Sequence, residues 1–258
     1  MSALALASIA GAACAQSEKP WDGLYAGLNA GSASNAACQS WTPSGATIDP
    51  ALVAAFGSRN CPNGGRFVGG VQIGDNFQYQ RLFWGLGADF GVWAATNQSR
   101  SLQYTGGAPP PGGYAFSGKE SPDGFAAIGP RFGYAGHQLL TYLRAGAMFP
   151  MGPGKSTFSY TPAGAVKPVA SFTGGSNFAP IGWVAGGGAE WGLNGPWSIT
   201  AEYLHANLGK GAGSIASCSG PAAACAGFAG ISFQSIHTSA TANMFRVGIN
   251  YWFGYWEP

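Results

Sequence analysis

A chain of 258 residues with only 9% charged side chains, against about 25% in ordinary soluble domains, holds too little charge to coat a large surface in water. Its net charge of +2 says little about partners, and it has no basic run long enough to suggest nucleic-acid binding. The longest apolar run, residues 2–15, falls short of the roughly 20 residues a membrane-crossing helix needs, while 43 glycines and 14% aromatic residues point to many short strands and turns.

The first element, ALALASIAGAACAQS, is apolar and ends in the small-x-small triplet Ala13-Cys14-Ala15, a site a signal peptidase would cut before Gln16. Export of the chain is expected, with residues 1–15 as a signal peptide and residues 16–258, or 258 − 15 = 243 residues, as a single β-barrel domain. No Lys or Arg precedes the apolar core, so a start upstream of Met1 stays open. Cys14 admits a second reading as a lipidated cysteine, against which Gly11 stands where such a site favours leucine.

Eight strands follow, at 22–31, 66–77, 82–93, 124–135, 139–149, 181–192, 196–207 and 240–253. In each, apolar residues alternate with polar or very small ones at period two. The connections alternate too. Stretches of about 30 residues, rich in Pro, Ser and Thr, exchange with short turns at Gln78–Arg81, AGHQ and LNGP, the signature of an up-and-down barrel with short periplasmic turns and long outer loops. The long connections show little periodicity and are expected to lack regular structure.

Parity sorts the strand residues into two faces. One face takes Leu24, Leu28, Phe67, Val71, Ile73, Trp84, Leu86, Phe90, Ile128, Phe132, Leu143, Trp183, Trp191, Trp197, Ile199, Tyr203, Phe245, Val247, Ile249, Tyr251 and Phe253. The other takes Asn29, Gln72, Asn76, Asn250 and six charges, Asp89, Arg131, Arg144, Glu190, Glu202 and Arg246. Because a Lys or Arg at the bilayer midplane costs about 2–4 kcal/mol, lipid belongs on the first face. Three acids and three bases in a narrow lumen are tolerable only if they pair or hold water, so a lumenal ion-pair network is expected.

Four cysteines remain after cleavage, in positions without zinc-ligand spacing, and disulfides Cys38–Cys61 and Cys218–Cys225 are expected, each inside a long loop. Tryptophans 21, 84, 183, 191, 197, 252 and 256 cluster near strand ends, as an interfacial girdle would, with core packing as the alternative for some.

The segments WDGLYAGLNAG, GGVQIGDNFQ, LGADFG, GPRFGYA, GWVAGGGAEWGLNGPWSITAEYLHANLG and FRVGINYWF resemble, in order, the strands of the small eight-stranded outer-membrane β-barrel family, which includes OmpA-like transmembrane domains and opacity-type and major surface antigens of Gram-negative bacteria. The resemblance implies an all-β, eight-stranded antiparallel up-and-down transmembrane barrel in the outer membrane, in contact with outer-membrane lipid and lipopolysaccharide. It also implies insertion by the barrel assembly machinery, which in such families reads an aromatic-terminated last strand; Val247, Ile249, Tyr251 and Phe253 match that pattern. GYWEP after Phe253 departs from it, and Pro130 inside a strand forfeits a ladder hydrogen bond.

Chemistry is sparse. His137, His205 and His237, with Ser235 and Glu202, allow an acid–base group to be sketched, but exposed polar residues near the rim are the simpler account, and nothing shows nucleophile-elbow or metal-ligand spacing. No enzyme, cofactor or metal site is expected. The leading expectation is a structural, surface-displaying barrel. Two further readings stay open: a narrow porin, since glycines such as Gly27, Gly74, Gly87, Gly188 and Gly248 line the lumen and leave room for water, and an adhesin or haem-type ligand binder acting through the loops. A soluble lipocalin-like barrel would need the opposite sidedness.

Overall fold

The computed structural model describes residues 21–44, 63–94, 97–104, 112–119, 124–152, 154–177, 179–226 and 232–253. Its strands are β1 (Gly23–Ser44), β2 (Asn63–Tyr79), β3 (Leu82–Trp93), β4 (Asn97–Tyr104), β5 (Gly112–Lys119), β6 (Gly124–Ala135), β7 (Leu139–Met151), β8 (Gly154–Pro162), β9 (Ala170–Asn177), β10 (Gly182–Gly192), β11 (Trp197–Asn207), β12 (Gly211–Ser219) and β13 (Ser232–Trp252), with one helical turn, α1 (Ala222–Ala226). Eight strands close on themselves in the order β1-β2-β3-β6-β7-β10-β11-β13, with β13 pairing antiparallel to β1. Closure leaves no free edge at membrane depth, which a bilayer demands of a spanning sheet.

The remaining strands extend this wall. β4 follows β3, β5 leads into β6, β8 follows β7, β9 leads into β10 and β12 follows β11, and the sheet runs on from β13 as β12-β9-β8-β5-β4. That sequence repeats the order of the barrel strands from which they rise. The expectation that the long connections lack regular structure therefore fails. The reason lies in local alternation, as in Thr157–Thr161 (TFSYT), which pairs antiparallel with β5 and β9. Tyr114 of β5 packs against Tyr160 of β8 at 5.1 Å between ring centres. High Ser, Thr and Gly content hid the strand signal because these strands do not bury a continuous apolar face.

The opposite end is made of tight turns. Gln80 and Arg81 alone join β2 to β3, and Gln80 holds φ at 54°, a left-handed conformation unusual for a residue with a side chain. Gly195, at φ 74°, shapes the turn in which the Leu193 amide donates to the Trp197 carbonyl at 2.8 Å. Pro130 leaves its mark in the ladder. β6 and β7 pair as Ile128 with Ala147 and again as Arg131 with Arg144, keeping register across a gap at Gly129–Pro130, as a residue without an N–H requires.

Burial follows parity. Leu28, Trp84, Phe132, Leu143, Tyr203 and Val247 are at least half exposed on the outer face, whereas all six expected lumenal charges are buried. One charge departs from the expected partition: Asp75 has outward parity on β2, half-buried near the tight-turn end. Arg66, at the start of that strand, is a further buried charge of inward parity.

Candidate functional site

The lumen is built in three storeys. At the tight-turn end Trp21, Tyr25, Phe83, Ala135, Leu140, Tyr142 and Trp252 form an apolar plug. At the other end Val68, Trp93, Phe125, Met148, Val184, Leu204 and Met244 are among the residues of a second plug. The charges lie between them.

Their arrangement follows from register. Glu202 and Arg246 stand directly opposite one another on β11 and β13, and Arg131 and Arg144 do so on β6 and β7. The two arginines nevertheless take different partners. Arg144 joins a closed ring: it reaches Asp89 at 2.5 Å and Glu202 at 3.3 Å, and Arg246 reaches Asp89 at 3.1 Å and also pairs with Glu202. Each guanidinium therefore bridges both carboxylates, and the four charges sum to zero. Tyr142 adds a hydroxyl donor 3.4 Å from Glu202.

Arg131 turns toward the tight-turn end instead. Its Nε donates to Asn76 Oδ1 at 2.7 Å, and its guanidinium lies over the Tyr25 ring at 4.3 Å and near the rings of Tyr142 and Phe83 at 5.0 and 5.6 Å. Such cation–π contacts replace part of the hydration the cation has lost. Its nearest anion is Glu190, at 3.8 Å. Glu190 in turn accepts from Ser198 at 2.5 Å, Asn250 at 2.9 Å and the Trp252 indole at 3.0 Å. Amides connect the two groups: Arg246 donates to Asn29, Asn29 to Gln72 at 3.0 Å, and Gln72 to Asn250 at 2.5 Å.

The lumenal glycines make room for these side chains. A Cβ on Gly74 would lie 2.4 Å from the Tyr25 hydroxyl, one on Gly188 2.9 Å from that of Tyr142, and one on Gly248 2.9 Å from Thr200 Cγ2. The space these three glycines leave is taken up by the side chains facing them.

Other expected residues fall as follows. Val247, Ile249, Tyr251 and Phe253 all point outward at the end of the last barrel strand. Trp84, Trp183, Trp191 and Trp197 are exposed on the outer wall, but Trp21 and Trp252 are buried in the plug, so the girdle reading is corrected for that pair, while Trp256 lies outside the described residues. Cys38 lies within β1 opposite Ser239, Cys218 within β12 opposite Phe172, and Cys225 within α1, so these three occupy regular elements where unstructured loops were expected. Cys225 is disulfide-bonded; Cys61 and the side chains of Cys38 and Cys218 lie outside the described residues. Glu202 points into the ring while His205, three positions on, points outward, so those two do not form an acid–base group. His137 sits in the β6–β7 turn, and the side chains of Ser235 and His237 lie outside the described residues. Among the described residues no cluster of His, Cys, Asp and Glu fit for a metal ion occurs.

The model of the outer membrane protein beta-barrel domain matches residues 2–253. The chain is 30% identical over 194 residues to the 31 kDa outer-membrane immunogenic protein of Brucella melitensis, covering 74% of this chain and 72% of that one, and matches the Brucella suis protein of the same name to the same extent. Among solved structures it is similar to OprG from Pseudomonas aeruginosa (TM-score 0.46, 10% identity, 89% of this chain and 96% of that one) and to the protease OmpT from Escherichia coli (TM-score 0.43, 10% identity, 90% and 97%). A closed antiparallel barrel of eight strands, apolar outside and ionic within, whose sequence matches this family over nearly its whole length, belongs to the outer membrane protein beta-barrel domain family and resides in the outer membrane of a Gram-negative bacterium.

Proposed function

We propose that the protein is a closed, non-enzymatic barrel that anchors a strand-built wall at the cell surface and does not conduct. One observation carries this reading: the ion ring of Asp89, Arg144, Glu202 and Arg246 is sealed between two apolar plugs, with Leu140, Met148 and Met244 all fully buried. An eight-stranded barrel is just wide enough for its own side chains to fill. The name of the Brucella relatives, an immunogenic outer-membrane protein, supports surface display. The rising wall formed by β4, β5, β8, β9 and β12 supplies what is displayed.

The rival readings have less support. A porin needs a continuous wet path, and at the tight-turn end Trp252 packs edge-on against Trp21 and tilted against Tyr25, with ring centres 5.5 and 5.0 Å apart. A cavity of about 250 Å³ lined by Tyr114, Thr161 and Pro162 lies in the outer wall, but ligand pockets run from about 300 to 1,000 Å³, so haem-type binding gains little from it. Planar-bilayer recording of the purified barrel tests the proposal. Silence is expected, and a stable unitary conductance in the native chain overturns it.

A further inference from the structure

At the tight-turn end the barrel strands meet in pairs. Residues 80–81, 136–138 and 193–196 join three of these pairs, β2 to β3, β6 to β7 and β10 to β11. The remaining pair is β13 and β1, the last and first barrel strands, which no turn links. A short turn keeps two strand ends together even when their ladder parts, because closing it costs far less chain entropy than bringing together residues as distant in sequence as Tyr25 and Trp252. Local opening of the sheet therefore starts at the seam between β1 and β13 unless other contacts hold it.

Such contacts are present, and they come from inside. Gly27 of β1 stands opposite Gln72 on β2 and Asn250 on β13, and Gln72 Nε2 donates to Asn250 Oδ1 at 2.5 Å across the space above it. A Cβ on Gly27 would overlap that oxygen, so glycine is what lets the bridge pass. On its other side the last strand is held from β10, where Glu190 accepts from the Asn250 amide at 2.9 Å and from the Trp252 indole at 3.0 Å. β13 is thus tied to strands two places away in both directions. Trp21, just before β1, donates from its backbone to Gln78 at 2.7 Å and from its indole to the Gly136 carbonyl at 3.1 Å, and the Trp252 ring packs on Trp21 and Tyr25.

We propose that these side chains form a clasp that stands in for the missing turn: the β1–β13 seam is where the barrel opens, and the Gln72–Asn250–Glu190 bridge sets how often it does. A bilayer makes the device matter more, since ladder groups freed at a parted seam find no water to bond within the hydrocarbon. The clasp governs strand separation and acts whether or not the lumen conducts.

Amide hydrogen exchange of the full chain in detergent micelles, followed by nuclear magnetic resonance, tests this. Residues 24–28 and 248–252 report on the seam, and residues 131–135 and 140–144 on the β6–β7 pair, which a turn joins. In the native chain the seam amides exchange faster than those of β6 and β7. In Gln72→Leu the loss of one buried hydrogen bond speeds seam exchange about threefold to tenfold and leaves β6 and β7 unchanged. Asn76→Leu removes a like amide contact, made to Arg131 across Gly85 and away from the seam, and leaves seam exchange at the native rate. Native seam amides no faster than those of β6 and β7, unchanged seam exchange in Gln72→Leu, an equal rise in both strand pairs, or the same seam acceleration in Asn76→Leu overturns the proposal. Folding is checked by mobility of unboiled samples. If Gln72→Leu fails that check, Gln72→Asn, one methylene shorter, takes its place: selective acceleration at the seam supports the clasp, and native rates or a uniform rise overturn it.

Discussion

Replacing Glu202 with glutamine removes one charge from the lumen without changing side-chain volume. In the native ring Glu202 and Asp89 together neutralise Arg144 and Arg246; after the change Asp89 alone faces both guanidinium groups. All three remaining charged groups are buried, with Arg246 only 2% and Asp89 1% exposed, so little water reaches the surplus positive charge. Breaking a buried pair by removing one partner costs about 3–5 kcal/mol. For a chain of this size, each kcal/mol moves the unfolding midpoint by about 2–4 °C, which places the expected fall between roughly 6 and 20 °C. The assay follows the compact, fast-migrating form on gels after graded heating in detergent. A second variant separates charge from contact: Glu202→Gln/Arg246→Gln restores neutrality and loses less than the sum of its two single changes, with a coupling of about 1–3 kcal/mol. An unchanged midpoint for Glu202→Gln, or strictly additive losses, refutes the ring as a single electrostatic unit.

Val247→Arg places a guanidinium on the lipid face one residue from the inward Arg246 and is expected to destabilise the barrel by about 2–4 kcal/mol, read by urea titration in lipid vesicles. Trp252→Ala removes a buried ring and a donor to Glu190; a loss of about 3–5 kcal/mol on the same titration is expected, and a loss below about 1 kcal/mol counts against the plug. Gly74→Leu pushes atoms into the space held by Tyr25, with an expected cost of about 1–3 kcal/mol and a shift in near-ultraviolet circular dichroism from the displaced aromatic rings.

The membrane-spanning part was legible because a bilayer enforces parity. Charge on the wrong face is so costly that Asp89, Arg131, Arg144, Glu190, Glu202 and Arg246 fall on one face in sequence and all face the lumen. The same rule, applied to the first residue of the predicted strand 66–77, also places Arg66 inside. Which carboxylate meets which guanidinium was not legible, since it depends on shear and on side-chain reach across several strands. The packing around the lumenal glycines was not legible either, because a sequence shows a missing side chain but not the Tyr25 or Tyr142 ring that lies beside it. The rising strands were missed for a different reason. A sheet with no lipid on either face has no penalty to sharpen its alternation, and Ser, Thr and Gly read there as loop.

The continuation of the wall past the membrane decides where foreign peptide can be grafted. An insertion within β8 or β9 breaks pairing on both sides, since each is held between two neighbours. The hairpin tip at residues 163–169, where Gly164 bends the backbone at φ 80° and Val166 is 95% exposed, interrupts no ladder. An epitope tag carried there rides on a scaffold rooted in the barrel, and its orientation is inherited from strands that begin inside the bilayer.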